Sequence, residues 1–383
     1  MTTPTVRYRR ARRAAVPLLG AAALVLATPL ATTAAADGGG ADGHLAVVAT
    51  GLDNPRQLSF DRRGNLYVAE AGRGGDGPCM AGPEGGTVCF GRTGAITRIT
   101  TKGSQSRVLT GLPSLAGQGT GEQATGPTDV SIVGTRRLVF TLGLGADPAV
   151  RDDKPALAEM GTLREAWMWS THSTLVADIA AHEGSTNPIA DPDSNPGGFS
   201  ATGGNYVVAD AGGNTVLKTN RSGKITTIAV LQDQLADAPP FLGLPAGTKI
   251  PSQAVPTSVT KGPDGALYVS QLTGFPFQPG LANIYRIDHR DRVSVYASGL
   301  TNVTDLAFGP EGVLYAVELA SEGLLSGPFG SLVAIPAGGG SSHIVVEGGL
   351  FAPYGVAITG RTAYVTTGSV APGAGQVVAI PLP

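Results

Sequence analysis

Three acids, Glu70, Asp210 and Glu318, each close a copy of one short strand phrase: 64–70 reads GNLYVAE, 205–210 reads NYVVAD and 313–318 reads VLYAVE. Carboxylates at equivalent points of repeated strands can converge on a hard cation such as Ca²⁺, or share protons and serve as general acid or base. A structural role competes, because Glu70 and Asp210 precede Ala-Gly, where a carboxylate can accept backbone N–H bonds from the turn. The same strand phrase ends in Gln271 in another copy, and the strands before it begin with Arg56, Asp129, Asp305 and Tyr354. These eight residues form the expected ligand-binding set, with Glu70, Asp210 and Glu318 as its metal-binding option.

Other chemistry is poorly represented. The acidic stretch 191–197 (DPDSNPG) starts like an EF-hand loop, but Pro196 stands where Gly is required and Thr202 where the bidentate Glu should be. Of the five histidines, only His172 and His182 are expected near the same face as the acids. No G-x-S-x-G, H-E-x-x-H or Walker loop occurs.

The elements that must position the acids are repeated β units. Six phrases recur, adding 137–142 (RLVFTL), 266–271 (ALYVSQ) and 362–367 (TAYVTT) to the three above. Before each lies a first strand that usually opens with proline, as at Pro55, Pro127, Pro256 and Pro353, then a tight turn such as DRRG, GPDG or GPEG. Third and fourth strands follow, and four antiparallel strands per unit predict an all-β, six-bladed propeller. Five or seven blades remain open, because the second unit is degenerate and must draw its outer strands from 160–170 and 174–180. The last unit ends after three strands at Pro383, so 44–49 (HLAVVA) is expected to close the ring as its fourth. The 56 glycines, 28 prolines and 15% charged residues suit short strands and turns.

In such a blade, connectors after the second and fourth strands share one face. They hold nearly all the loop length: 71–93, 111–126, 143–159, 184–195, 232–254, 272–282 and 319–330. Long loops on one face of a rigid scaffold are where binding and catalysis gather.

Residues 1–36 read as a secretory signal, with five arginines before position 14, an apolar run at 14–30 and Ala34-Ala35-Ala36 as cleavage site. The remaining 37–383 are expected to form one propeller domain, secreted and without a membrane span. That part carries 22 Lys and Arg against 29 Asp and Glu, a formal charge near −7, and no basic stripe, which argues against nucleic acid. Cys79 and Cys89 are the sole cysteines and are expected to form a disulfide that staples a Gly-rich loop.

The phrases from Gly51 (GLDNPRQLSFDRRGNLYVAEAGRGG), Val176 (VADIAAHE), Asp193 (DSNPGG), Asn205 (NYVVADAGGNTVLK) and Asn302 (NVTDLAFGPEGVLYAVE), with the paired cysteines, resemble the ScyD/ScyE family of exported bacterial proteins. The resemblance spans the mature chain and implies an NHL-like six-bladed propeller. The family's name comes from a cyanobacterial sunscreen-pigment gene cluster and implies no activity. Gly198 and Phe199 depart from the tyrosine-containing first strand expected after DSNP. Three functions follow as expectations: an exported scaffold binding a protein, glycan or small metabolite on the long-loop face; a divalent-cation hydrolase resembling gluconolactonase and regucalcin; or an oxidoreductase or pigment-biosynthesis enzyme. The second lacks that family's Asn ligand and first-strand glutamate, since Arg56 and Gln57 occupy the matching place.

Overall fold

The computed structural model describes residues 45–383 apart from 84, 188–191 and 203, and apart from the side chains of 347 and 348. The expected signal segment 1–36, His44 and Asp191 lie outside the described residues. Six antiparallel sheets follow one another along the chain as the blades of a propeller, five of them four-stranded and the first with a short fifth strand, Cys79–Ala81. Blade 1 is built from Pro55–Phe60, Leu66–Glu70, Thr87–Ile99 and Gln105–Gly117, and blade 2 from Pro127–Val133, Arg137–Leu142, Thr162–Trp167 and Thr174–Asp178. Blade 3 uses Pro196–Thr202, Asn205–Asp210, Thr215–Thr219 and Ile225–Val230, and blade 4 Pro256–Lys261, Leu267–Gln271, Ala282–Ile287 and Val293–Leu300. Blade 5 comprises Val303–Phe308, Leu314–Glu318, Phe329–Ile335 and His343–Phe351. Blade 6 comprises Val356–Thr359, Thr362–Thr367 and Gly375–Pro381, and Ala46–Leu52 from the N-terminal side supplies its fourth strand.

The turns fold as their sequences require. Gly64 in DRRG and Gly265 in GPDG adopt φ of 79° and 80°, a region open to glycine at little cost. The apolar faces of adjacent blades then meet in six clusters, one per inter-blade cleft. Tyr67 and Ile96 of blade 1 pack on Val130 and Phe140 of blade 2, for example. The ring closes where Ala49 and Val377 of blade 6 meet Leu58 and Val68 of blade 1. Burial of this alternating surface is the main driving force for closure.

Hydroxyls stitch the blades together around the channel. Thr141 donates to the Gly197 carbonyl at 2.7 Å, Thr257 to Val303 at 2.8 Å, Thr304 to Tyr354 at 2.6 Å and Thr366 to Arg56 at 2.8 Å.

Blade 1 differs from the loop-rich reading. Its connectors are partly strand: Thr87–Ile99 and Gln105–Gly117 run on past the blade as a hairpin, and Cys79–Ala81 pairs with the start of the former. The glycines that suggested a loop are needed for close approach, since a Cβ on Gly91 would lie 2.0 Å from the Gly74 carbonyl oxygen. Cys79 and Cys89 face each other across this arm and are joined by a disulfide. Phe90 and Leu115 of the arm pack on Leu157 and Met160 of the blade 2 connector.

Candidate functional site

A bulge in the first strand positions the central residues. In blades 1 to 4 the register between first and second strands slips between the opening proline and the apolar residue three positions on, as from Pro55↔Glu70 to Leu58↔Val68. The extra residue bends the strand and re-aims its side chains. Two sets of residues therefore occupy the channel: Arg56, Thr128, Gly197, Thr257, Thr304 and Tyr354 nearer the long-loop face, and Gln57, Asp129, Gly198, Ser258, Asp305 and Gly355 one residue deeper.

The deeper set closes the channel. Gln57 reaches across to blades 4 and 5, donating to the carbonyls of Thr257 at 3.3 Å and Thr304 at 3.2 Å. Gly198 makes this possible, because a Cβ there would lie 2.3 Å from Gln57 Oε1. Asp129 accepts from Phe199 N at 2.9 Å and from Val130 N at 2.7 Å. Asp305 accepts from Val356 N at 2.8 Å, from Leu306 N at 2.8 Å and from Ser258 Oγ at 2.7 Å. Burial, followed by the charge of Asp305, pushes Asp129 up to about 8. Burial likewise raises Asp305 to about 7.

Above this plug lies the mouth. Arg56 donates to the Ser369 carbonyl at 2.7 Å and the Ala124 carbonyl at 2.6 Å, and its guanidinium sits 4.7 Å from the centre of the Tyr354 ring. Among the described residues Arg56 has no carboxylate partner, and burial lowers its basicity. Burial raises Tyr354, which keeps the phenol neutral. Together with Thr128, Asn195 and Thr257 these two line a cavity of about 70 Å³, room for a few waters or one carboxylate-sized group.

Of the expected set, the structure brings Arg56, Tyr354, Asp129 and Asp305 to the channel. It does not bring together Glu70, Asp210 and Glu318. Each is consumed inside its own blade as a latch. Glu70 accepts from Asp53 N at 2.8 Å, from Thr97 Oγ1 at 2.5 Å and from Arg107 at 2.6 Å. Asp210 accepts from Asn195 N at 2.6 Å and Ser194 Oγ at 2.9 Å, and Glu318 from Thr301 N at 2.8 Å and Ser331 Oγ at 2.6 Å. Among the described residues no group of three or more His, Cys, Asp or Glu is placed to hold a metal ion. Gln271 also stays in its blade, accepting from Asn283 N at 2.9 Å. The EF-hand-like stretch contributes Ser194 and Asn195 to the Asp210 latch. His182 lies 3.2 Å from Thr227 Oγ1 and is not among the residues that line the mouth cavity.

Sequence reasoning missed Gln57 as the plug and the glycines that admit it. The signal was present in the P-x-x-apolar spacing of the first strands, which sets Gly198 level with Gln57 once the six units are aligned.

No family model and no curated protein matches the chain. Among solved structures it is similar to a gluconolactonase from Xanthomonas campestris, at 11% identity and a TM-score of 0.51, covering 88% of this chain and 89% of that one. It is also similar to a virginiamycin B lyase from Staphylococcus aureus, at 11% identity and a TM-score of 0.47 over 88% and 98% of the two chains. A chain of a nidogen–laminin complex matches at 12% identity and a TM-score of 0.46 over 73% and 84%. Likeness at this identity is likeness of fold, a propeller scaffold.

Proposed function

We propose that the chain is an exported binding propeller, of the ScyD/ScyE type that its sequence resembles, which receives an acidic group of a small metabolite or larger partner at the channel mouth on its long-loop face. The observation that carries this reading is Arg56: a guanidinium held in a concave, largely desolvated mouth by two carbonyls and an aromatic ring, with no carboxylate partner among the described residues. A cation so placed favours an anion, and Arg offers a carboxylate paired donors. The disulfide in the blade 1 arm fits an oxidising compartment. Among the described residues no helix is long and apolar enough to cross a membrane.

A thermal-shift panel tests the reading, with acetate, malonate, citrate and phosphate compared with chloride at constant ionic strength. At least one carboxylate is expected to raise Tm by about 2 °C in the wild type and to have no effect on Arg56→Gln. A shift that persists in Arg56→Gln, or none with any anion, overturns the proposal. Calcium-dependent opening of gluconolactone that is lost in Glu70→Gln and Glu318→Gln would restore the hydrolase reading.

A further inference from the structure

The outer rim between blades 1 and 2 carries a second concentration of recognition chemistry, remote from the channel plug. A cleft of about 410 Å³ lies there, lined by Arg92, Thr110, Glu159, Arg164, His172 and Ser173 among others. Arg92 pairs with Glu159 Oε1 at 2.5 Å, and Arg164 with Glu159 Oε2 at 3.4 Å, so one carboxylate serves two guanidiniums. Asp178 is the other acid near Arg164, and it is bound to Arg151 at 2.9 Å. Arg164 is further fixed by Ser173, whose Oγ and carbonyl accept at 2.8 and 3.1 Å. The cleft thus holds a surplus cation on a pre-oriented frame, beside the hydroxyls of Thr110 and Thr171.

A second, independent observation concerns the tryptophans. The chain has two, both exposed, at and just after the end of blade 2's third strand: Trp167 is 64% exposed and Trp169 65%. Trp169 N donates to the Val108 carbonyl at 2.7 Å, which fixes its backbone next to Leu109 and Thr110 of the cleft wall. Two positions further on the chain forms the opposite wall with Thr171, His172 and Ser173. Trp169 holds φ of 67°, a conformation bulky residues seldom adopt. Leaving two large rings in water forgoes burial that a core would provide, and an exposed indole whose backbone adjoins a wall of the hydroxyl- and guanidinium-lined cleft suits a ligand with apolar faces, hydroxyl edges and a carboxylate.

We infer that this rim binds an acidic oligosaccharide, with a sugar face on Trp169 and a uronate carboxylate on Arg92 and Arg164. Tetragalacturonate titrated into the purified protein by calorimetry is expected to bind, more weakly as salt is raised, while carboxyl-reduced tetragalacturonate is not. Trp169→Ala and Arg92→Gln are each expected to weaken binding about tenfold, with unchanged melting temperature, since both side chains are largely exposed. Absence of binding, equal binding of the neutral oligosaccharide, or wild-type affinity in both variants overturns the assignment. Monogalacturonate binding as tightly as the tetramer also overturns it, by pointing to a small-carboxylate site with no saccharide platform.

Discussion

The acids that end the second strands and the acids at the first-strand bulges are all surrounded by protein, yet they are held in opposite ways. Glu70, Asp210 and Glu318 each accept from a backbone N–H of the incoming connector and from a hydroxyl, which Thr97 and Ser331 supply from the acid's own blade and Ser194 from the connector, so each ties a connector to its sheet. Asp129 and Asp305 accept N–H groups from the next blade, Phe199 and Val356, across the channel wall. The first set fixes blades internally and the second fixes blades to one another. A carboxylate phrase repeated in sequence therefore need not converge in space, because the end of a second strand is aimed at its connector and the bulge of a first strand is aimed at the axis.

Removing a latch breaks that comparison most sharply. Glu70→Ala leaves Asp53 N–H and Thr97 Oγ1 without an acceptor in the interior and strips Arg107 of one of its two carboxylates. A loss of about 3 kcal/mol is expected in urea unfolding, because a buried, charge-paired acceptor is deleted. Glu318→Ala, with no cation partner among its hydrogen bonds, is expected to cost about 2 kcal/mol. Near-wild-type stability in both would show that these acids are held for a ligand and not for the fold.

The plug gives the next effect. In Gly198→Ala the new methyl meets Gln57 Oε1 at 2.3 Å and Ser258 Oγ at 2.7 Å. Gln57 must withdraw from Thr257 and Thr304, at a cost of about 1–2 kcal/mol. Retained stability together with greater solvent access to the channel would show that Gln57 is a movable gate; a loss of stability marks it as part of the closed axis.

The blades were legible because period-2 alternation and Gly turns are local and recur along the chain, and the P-x-x-apolar start opens five of the six blades. Ring closure by the N-terminal strand was legible from chain arithmetic alone. A structural role for Glu70 and Asp210 was visible as one of two alternatives, but with donors expected from the Ala-Gly turn that follows each, whereas the backbone donors are Asp53 and Asn195 of the connector before the blade. What decided between them was donor supply from Asp53, Thr97 and Arg107, contacts that no local pattern encodes. The rim cleft was not legible, since Arg92, Glu159 and Arg164 come from two blades and meet only after the blades pack. The blade 1 arm was misread because its glycines serve close backbone contact, which composition does not distinguish from a loop.

The smallest effect is the pH dependence that the two plug acids carry. Asp129, at about 8, and Asp305, at about 7, lie well above the ordinary carboxylate value near 3.9, so between roughly pH 4 and 8 the folded chain binds more protons than the unfolded one. Their contribution to stability is complete below about pH 4 and is lost as pH rises through 7 and 8. Asp210, at about 7 through burial, and Glu318, raised by burial, add to the same slope. Asp129→Asn mimics the protonated acid in size and is expected to change stability at pH 5 by no more than about 1 kcal/mol, the cost of one weakened N–H acceptor. It removes one proton-holding site, so stability should fall less steeply between pH 5 and 8, with the variant overtaking the wild type between pH 5 and 6.5. Because the charge of Asp305 contributes to the shift at Asp129, Asp305→Asn should lower the Asp129 value, and the two substitutions should flatten the slope by less than the sum of their separate effects. Urea unfolding at pH 5, 6.5 and 8 reads all three quantities, and a stability that rises with pH, or a slope untouched by Asp129→Asn, would place the ionised form of Asp129 in the fold.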